Sequence, residues 1–428
     1  RITVTLNRRS FLSMTAIAST LAAAACGSNA DNSDSQGGGS ASSDGGDAVA
    51  ADTTADLVIW ADEKKAPSIE EFATQWADQQ GGLTVAVQVV AKDLQTNFIT
   101  ADSAGNGPDI VIGAHDWIGK FVQNNAIAPV LLSGKAKSNY SDTALKAVTY
   151  NGQTYGAPYT VEALVLYVNK ELTEKTSPAT VEELVEAGKA SGAQETLALP
   201  VGEEGDGYFM QPFYSSAGGY LFGTNPDGTY NTGDLGVGAE GSVTAGTKIS
   251  GLASDGVLKT SISTDNAADL FTTKKTPYLV SGPWSLSSIK EAGIDYAIAK
   301  IPGFKGMSEA VPFAGVNVFY VAQNGRNRSI AESFVADVAK DSTVAEAMFA
   351  KNELPPAQKD LAEKLRSSNP DMVTFFDIAN SATPMPSIPE MAEIWPPLGQ
   401  AEANIINGKD ASSEMQAAGK SIKDALGI

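Results

Sequence analysis

Few residues in this chain can do chemistry, and their types narrow what that chemistry is. There is one histidine, His115, and one cysteine, Cys26. A thiolate or multi-histidine zinc site therefore cannot be built, and no internal disulfide can form. What remains are carboxylates and aromatic rings. Glu162 is an acid within the otherwise apolar run Thr160-Val161-Glu162-Ala163-Leu164. Burying a carboxylate is costly unless it is paired or hydrogen-bonded, so Glu162 is expected to face a ligand or to sit in a salt bridge. Trp284 follows Ser281-Gly282-Pro283, whose Gly and Pro make a tight turn that presents the ring outward. The run Asp62-Glu63-Lys64-Lys65 and the trio His115-Asp116-Trp117 each follow a short apolar stretch. Both fit a ligand site, but the charge run also fits a solvated loop and Asp116 a helix N-cap.

The elements around these residues explain their placement. Asp56–Trp60 reads as a buried strand, and the apolar spacing Ile69, Phe72, Ala73, Trp76 reads as a helix over 68–79. Ser68 would cap that helix and Gly81-Gly82 would end it. Residues 83–90 are strand-like, 95–104 helix-like, and Pro108–Gly113 forms a third strand. This β-α-β-α-β rhythm predicts a parallel sheet flanked by helices, with ligands beyond the C-terminal strand ends. Those ends lead into Ala61–Lys65 and Ala114–Trp117. Strands are also expected at 164–169, 279–281 and 316–321, and helices at 180–191 and 330–340, before a helical, proline-punctuated C-terminal third.

The first residues read as an export address. Arg8 and Arg9 precede an uncharged stretch from Phe11 to Ala25, too short to span a bilayer and suited to a signal segment. Cys26 then stands where a bacterial lipoprotein takes its diacylglyceryl group. Residues 1–25 are thus expected to be a lipoprotein signal peptide. The Gly/Ser/Asp-rich stretch 26–55 is expected to be a tether, since it has almost no large apolar side chain to bury. The expected location is the outer face of the cell membrane, held by lipid on Cys26. The whole chain is 43% hydrophobic residues and 19% charged, and the part after the tether is long enough for more than one core. A formal net charge of −20 argues against nucleic acid and against charge-driven binding to anionic lipid.

Several ordered strings carry a resemblance to the maltose/maltodextrin-binding family of ABC-importer solute-binding proteins. They are Gly107-Pro108-Asp109-Ile110 with Ala114-His115-Asp116; Pro158-Tyr159-Thr160-Val161-Glu162-Ala163-Leu164 with Asn169-Lys170; Gly282-Pro283-Trp284; and Pro386-Ser387-Ile388-Pro389 with Trp395 beyond. The resemblance implies an α/β, two-lobed periplasmic-binding-protein-like fold with a three-crossing hinge and an interlobe ligand cleft. By alignment, 56–160 plus 307–365 would form one lobe and 161–306 plus 366–428 the other. It further implies capture of an oligosaccharide for the transmembrane permease subunits of an ABC importer, by a monomer without cofactor, metal or catalytic residues.

A sugar offers hydroxyls on its rim and C–H groups on its faces, so it asks for carboxylates at the edge and rings above and below. In the resembled family that lining falls on Asp116, Glu162, Asp206, Tyr208, Trp284 and Trp395, with a lysine at Lys64 or Lys65 and Asp62 or Glu63 beside it. The family has Trp and Arg where this chain has Gly113 and Trp117, and Tyr and Arg where it has Pro396 and Gly399. Trp117 is expected to supply the lost ring from its neighbouring position. The rebuilt cleft keeps a sugar expected and leaves its identity open among maltodextrins, trehalose, other α-glucosides and plant oligosaccharides. A secreted glycosidase is the main rival, because two carboxylates flanking a glycosidic bond would suffice for it; no hydrolase string is present. A peptide or metal ligand, or a purely structural surface lipoprotein, fits the lining less well.

Overall fold

The computed structural model describes residues 49–428. Cys26, the signal segment 1–25 and the tether up to residue 48 lie outside the described residues. The last residues assigned to the tether by composition are held on the body. Ala51 N–H donates to Asn106 O, Asp52 N–H to Gln88 Oε1, and the Arg326 guanidinium to Thr53 O.

Fourteen strands occur among the described residues. β1 (Leu57–Ala61), β2 (Val85–Val89), β3 (Ile110–Ala114) and β4 (Ile127–Ala128) come first. A small hairpin of β5 (Thr149–Tyr150) and β6 (Gln153–Thr154) follows, then β7 (Ala157–Ala163) and β8 (Val165–Asn169). β9 (Phe222–Thr224) and β10 (Tyr230–Leu235) pair as a second hairpin. β11 (Tyr278–Ser281), β12 (Tyr296–Ala299), β13 (Phe313–Ala322) and β14 (Thr383–Pro384) complete the set. A seven-stranded sheet runs β14-β13-β3-β1-β2, with β4 and β7 also on β13. β1 is parallel to β2 and β3, as the β-α-β rhythm predicts, whereas β13 runs antiparallel to β3 and β7. A three-stranded antiparallel sheet, β11-β8-β12, forms the second layer system.

The strands read as continuous apolar runs because both faces are covered. In β1, Leu57, Ile59 and Ala61 enter one core and Val58 and Trp60 the other, the period of two that a strand imposes. In β8, Leu166 and Val168 face one core, and Val165 and Tyr167 the opposite one. Helix Ala66–Gln79 covers the large sheet through Ile69, Ala73 and Trp76, each such large apolar burial contributing about 1.5–3 kcal/mol. It begins two residues before the expected cap. Pro67 fits the first turn, where its missing N–H is no loss, so Ser68 lies inside the helix and its hydroxyl donates to Lys65 O. Thr180 does cap helix Val181–Ala190, its Oγ1 accepting from Glu183 N–H.

The chain passes between the two sheets three times: through Leu164 between β7 and β8, between β12 and β13, and beyond β14. Helix Pro370–Asn380 lies across the junction. Phe376 and Ala379 pack in a large-sheet core, and Met372, Phe375 and Ile378 in a core shared with β8. Residues 366–384, which the alignment assigns to the second lobe, thus end in a strand of the large sheet. One of the resemblance strings is structural. Asp109 is buried, its carboxylate accepting from Val58 and Asn327 N–H, so it ties the start of β3 to β1 and to the loop after β13.

Candidate functional site

Acids and rings converge where β1, β3, β7 and β13 end at the junction between the sheets. His115–Trp117 is a 3-10 turn directly after β3. His115 is buried, with Val316 N–H donating to Nδ1 and Nε2 bonded to Met385 O at 2.8 Å. Gly119 N–H donates to Ser387 O at 2.9 Å, so the turn after β3 and the segment 385–387 are hydrogen-bonded to each other at two points. The histidine is thereby the pin that orders the turn, and burial holds its pKa below the usual imidazole value. Asp116 projects from the pinned turn, half-buried, with burial raising its carboxyl pKa.

Glu162, on β7, is also pushed up by burial, with the Lys65 ammonium pulling the other way. Lys65 is paired with Asp62, whose Oδ1 accepts from the N–H groups of Lys64 and Lys65 at 3.0 Å. Burial alone would raise Asp62, yet the lysine and these donors outweigh it and its pKa is lowered. Asp62 thus orders its own loop and holds the Lys65 ammonium, whose charge also acts on Glu162. Glu63 and Lys64 are exposed and stand outside the cluster. Asp206 is the N-cap of helix Gly207–Ser216, accepting from Tyr208 and Phe209 N–H at 3.1 and 3.2 Å. Burial nevertheless raises its pKa. Tyr208 feels three of these charges. Its phenol pKa is raised by burial first, and then by Glu162, Asp206 and Asp116 together.

A line of rings runs beside the acids. Tyr208 lies 6.5 Å from Phe313 in a stacked arrangement, and Phe313 lies 6.2 Å edge-on from Trp395. Trp395 opens helix Trp395–Ile406, where Pro396 and Pro397 fit the first turn. Phe313 is buried at the start of β13 and joins two expected ring positions; a phenylalanine in a strand carries no local sign of such a role. Trp284 stands apart, 50% exposed, with its indole folded over Gly282.

Two departures from the resembled pattern have a steric cause. The Trp117 indole lies over Gly113, and a Cβ at 113 would fall 2.1 Å from its Cζ3. The ring at 117 therefore excludes a side chain at 113, and its edge-on contact with Phe121 at 5.9 Å makes it partly a packing residue. At Gly399 the loop 202–206 comes down on the helix: a Cβ on Gly205 would sit 1.8 Å from Gly399 O. A long side chain at 399 would meet that loop. A separate space of about 630 Å³ opens past His115, between hairpins β5–β6 and β9–β10, and none of these acids or cleft rings lines it. Among the described residues no group of three or more His, Cys, Asp or Glu could hold a metal ion. Nor is any described helix long and apolar enough to cross a membrane.

Comparison with known proteins follows the same outline. Residues 68–374 match the family model described as bacterial extracellular solute-binding protein. A galactooligosaccharide-binding protein of Bacillus subtilis (strain 168) is 29% identical over 367 residues, 83% of this chain and 85% of that one. A maltodextrin-binding protein of the same organism is 29% identical over 387 residues, 87% of this chain and 88% of that one. Among solved structures, a cyclo/maltodextrin-binding protein complexed with maltotetraose is similar at TM-score 0.78 and 26% identity, covering 88% of this chain and 98% of that one. An extracellular solute-binding protein of Staphylococcus aureus in complex with maltose matches at TM-score 0.77 and 27% identity, with coverage of 87% and 98%.

Proposed function

Because the chain belongs to the bacterial extracellular solute-binding proteins, we propose that it captures an oligosaccharide of the maltodextrin type in the cleft and delivers it to an ABC permease. The observation that carries this reading is the line of rings Tyr208–Phe313–Trp395, with the Glu162, Asp206 and Asp116 carboxylates close enough for their charges to act on the Tyr208 phenol. Carboxylates accept from sugar hydroxyls and rings cover sugar faces, so this lining suits a neutral, hydroxyl-rich ligand. Sugar bridging the two sheets favours the closed arrangement by its differential affinity for that state, with the three crossings as the hinge. The two lobes divide at those crossings. A galactooligosaccharide is the second reading, favoured by the altered corner at Gly113 and Trp117 and by a relative of that name.

Calorimetric titration of the chain with maltotriose, longer maltodextrins, trehalose, raffinose and a galactooligosaccharide tests the proposal. A dissociation constant on the order of 1 μM, or ~8 kcal/mol, is expected for the cargo. Trp284→Ala should weaken it by roughly 1–3 kcal/mol, through lost burial and stacking. No binding across the panel would remove the sugar reading. The chain acts on no bond, and sugar recovered after incubation should be unchanged by chromatography; shorter products would point to a glycosidase instead.

The body is held at the outer face of the cell membrane by lipid on Cys26, a placement supported by the signal-like segment before it and by a 26% identical relative from Streptococcus pneumoniae that is named a solute-binding lipoprotein. Cys26→Ala should move the protein from the membrane fraction to the medium. Retention of that variant on membranes would exclude the anchor.

A further inference from the structure

β13 is the shared strand of the large sheet, with β3 on one side and β7 on the other, and Asn317 sits midway along it, level with the last residue of β3. Its register partners are Ala114, two residues before Asp116, and Thr160, two residues before Glu162. On the same face, further along the strand, Phe319 and Val321 are core residues. An amide is out of keeping with such a face, since asparagine is disfavoured in strands and a buried polar group needs partners. Asn317 has them. Its Nδ2 donates to Thr160 Oγ1 at 2.8 Å and reaches Glu162 Oε1 at 3.5 Å. It is the protein donor within hydrogen-bond distance of the Glu162 carboxylate among the described residues, and its own Oδ1 accepts nothing from the protein.

Next to it, Gly315 is the register partner of Glu162, and a Cβ built there would meet no atom within 4 Å. A glycine in a central strand with free space over it marks a place where another molecule approaches the backbone. We infer that Gly315 and Asn317 form the floor of the ligand site, with Asn317 as a specificity-determining residue. Its Nδ2 holds the Glu162 carboxylate in one orientation, and its Oδ1 accepts from one hydroxyl of the sugar. The floor therefore selects a sugar carrying a free hydroxyl at that ring position and rejects one that is deoxygenated or methylated there. This rests on the proposed sugar-binding function.

The test uses the full chain, the sugar that the wild type binds best, and monodeoxy and O-methyl forms of that sugar. Binding and thermal stability are measured for wild type, Asn317→Leu and Gly315→Ala between pH 5 and 9. For Asn317→Leu the expected loss is roughly 3–10-fold for the parent sugar, the worth of one neutral hydrogen bond. The penalty for one particular deoxy form should vanish in that variant. Without its donor, Glu162 should hold its proton to higher pH, so binding should fall off at a higher pH than in wild type as the solution is acidified. Gly315→Ala should keep its melting temperature and lose affinity. Failure of the wild type to bind any sugar would sink the function itself. A wild type that binds, with both variants matching it, would overturn the floor alone, as would an equal loss for every analogue with an unchanged pH profile.

Discussion

Replacing Glu402 with methionine is expected to stabilise the folded chain at pH 8 by about 1–3 kcal/mol. Glu402 lies in helix Trp395–Ile406 with no exposed surface, among Leu398, Ala401 and Ile405 of the small-sheet core. Neither carboxylate oxygen has a hydrogen-bond partner among the described residues. Burial raises its pKa well above the ordinary glutamate value of 4.5, and the nearby Asp206 charge adds to this. The sign follows from linkage. The folded state prefers the protonated acid, so this group's stabilising contribution is fully present below the unfolded pKa and is lost as pH rises through the folded pKa. Urea unfolding of wild type should therefore weaken between pH 5 and 8, and Glu402→Gln should remove that part of the slope. Parallel pH profiles for wild type and Glu402→Gln would show that the acid has found a partner.

Gly205→Ala is the second large expectation, in the opposite direction. Gly205 has φ +74°, and its Cβ would fall 1.8 Å from Gly399 O, a backbone atom in a helix that cannot swing aside. The left-handed conformation and the overpacking together should cost about 2–5 kcal/mol. Gly192→Ala is the control, because Gly192 has φ +69° and nothing within 4 Å of the added atom. It should show only the conformational part, about 1–2 kcal/mol. The loop that Gly205 displaces leads straight into Asp206 and Tyr208, so sugar affinity should fall in Gly205→Ala and not in Gly192→Ala. Equal melting temperatures for the two variants would mean that the loop lifts off the helix at little cost.

The parts of this molecule that are legible in its sequence are those with local signals. β1, β2 and β3 show as short apolar runs, and helix Val181–Ala190 shows by its Thr180 cap, because burial and capping act over a few residues. Glu162 is conspicuous for the same reason, as a charge in an apolar stretch. The helix at Ala66 starts earlier than Ser68 suggests because Pro67 is compatible with a first turn, and capping preference alone cannot weigh that. Phe313 and Asn317 pass unnoticed in a strand of mixed character. Only register brings Asn317 opposite Thr160 and sets Phe313 between Tyr208 and Trp395. The steric pairing of Gly205 with Gly399, and the solitary burial of Glu402, likewise depend on segments far apart in the chain. Sequence separation hides them.

The two sheets also differ in when they can be finished. β8, β11 and β12 all come from residues 165–299, so the small sheet can close from one contiguous stretch of chain. The large sheet cannot. β3 and β7 have no direct bond to each other and are joined only through β13, which begins at Phe313. Pairing over such distances must meet its loop-closure entropy before any contact rewards it, which makes it the slow step of assembly. β1, β2 and β3 pair with one another directly, yet through most of the chain's synthesis they lack the strand that joins them to β7. The sheet that carries Glu162 and leads into Asp116 therefore stays in two pieces until the segment from Phe313 onward has been made.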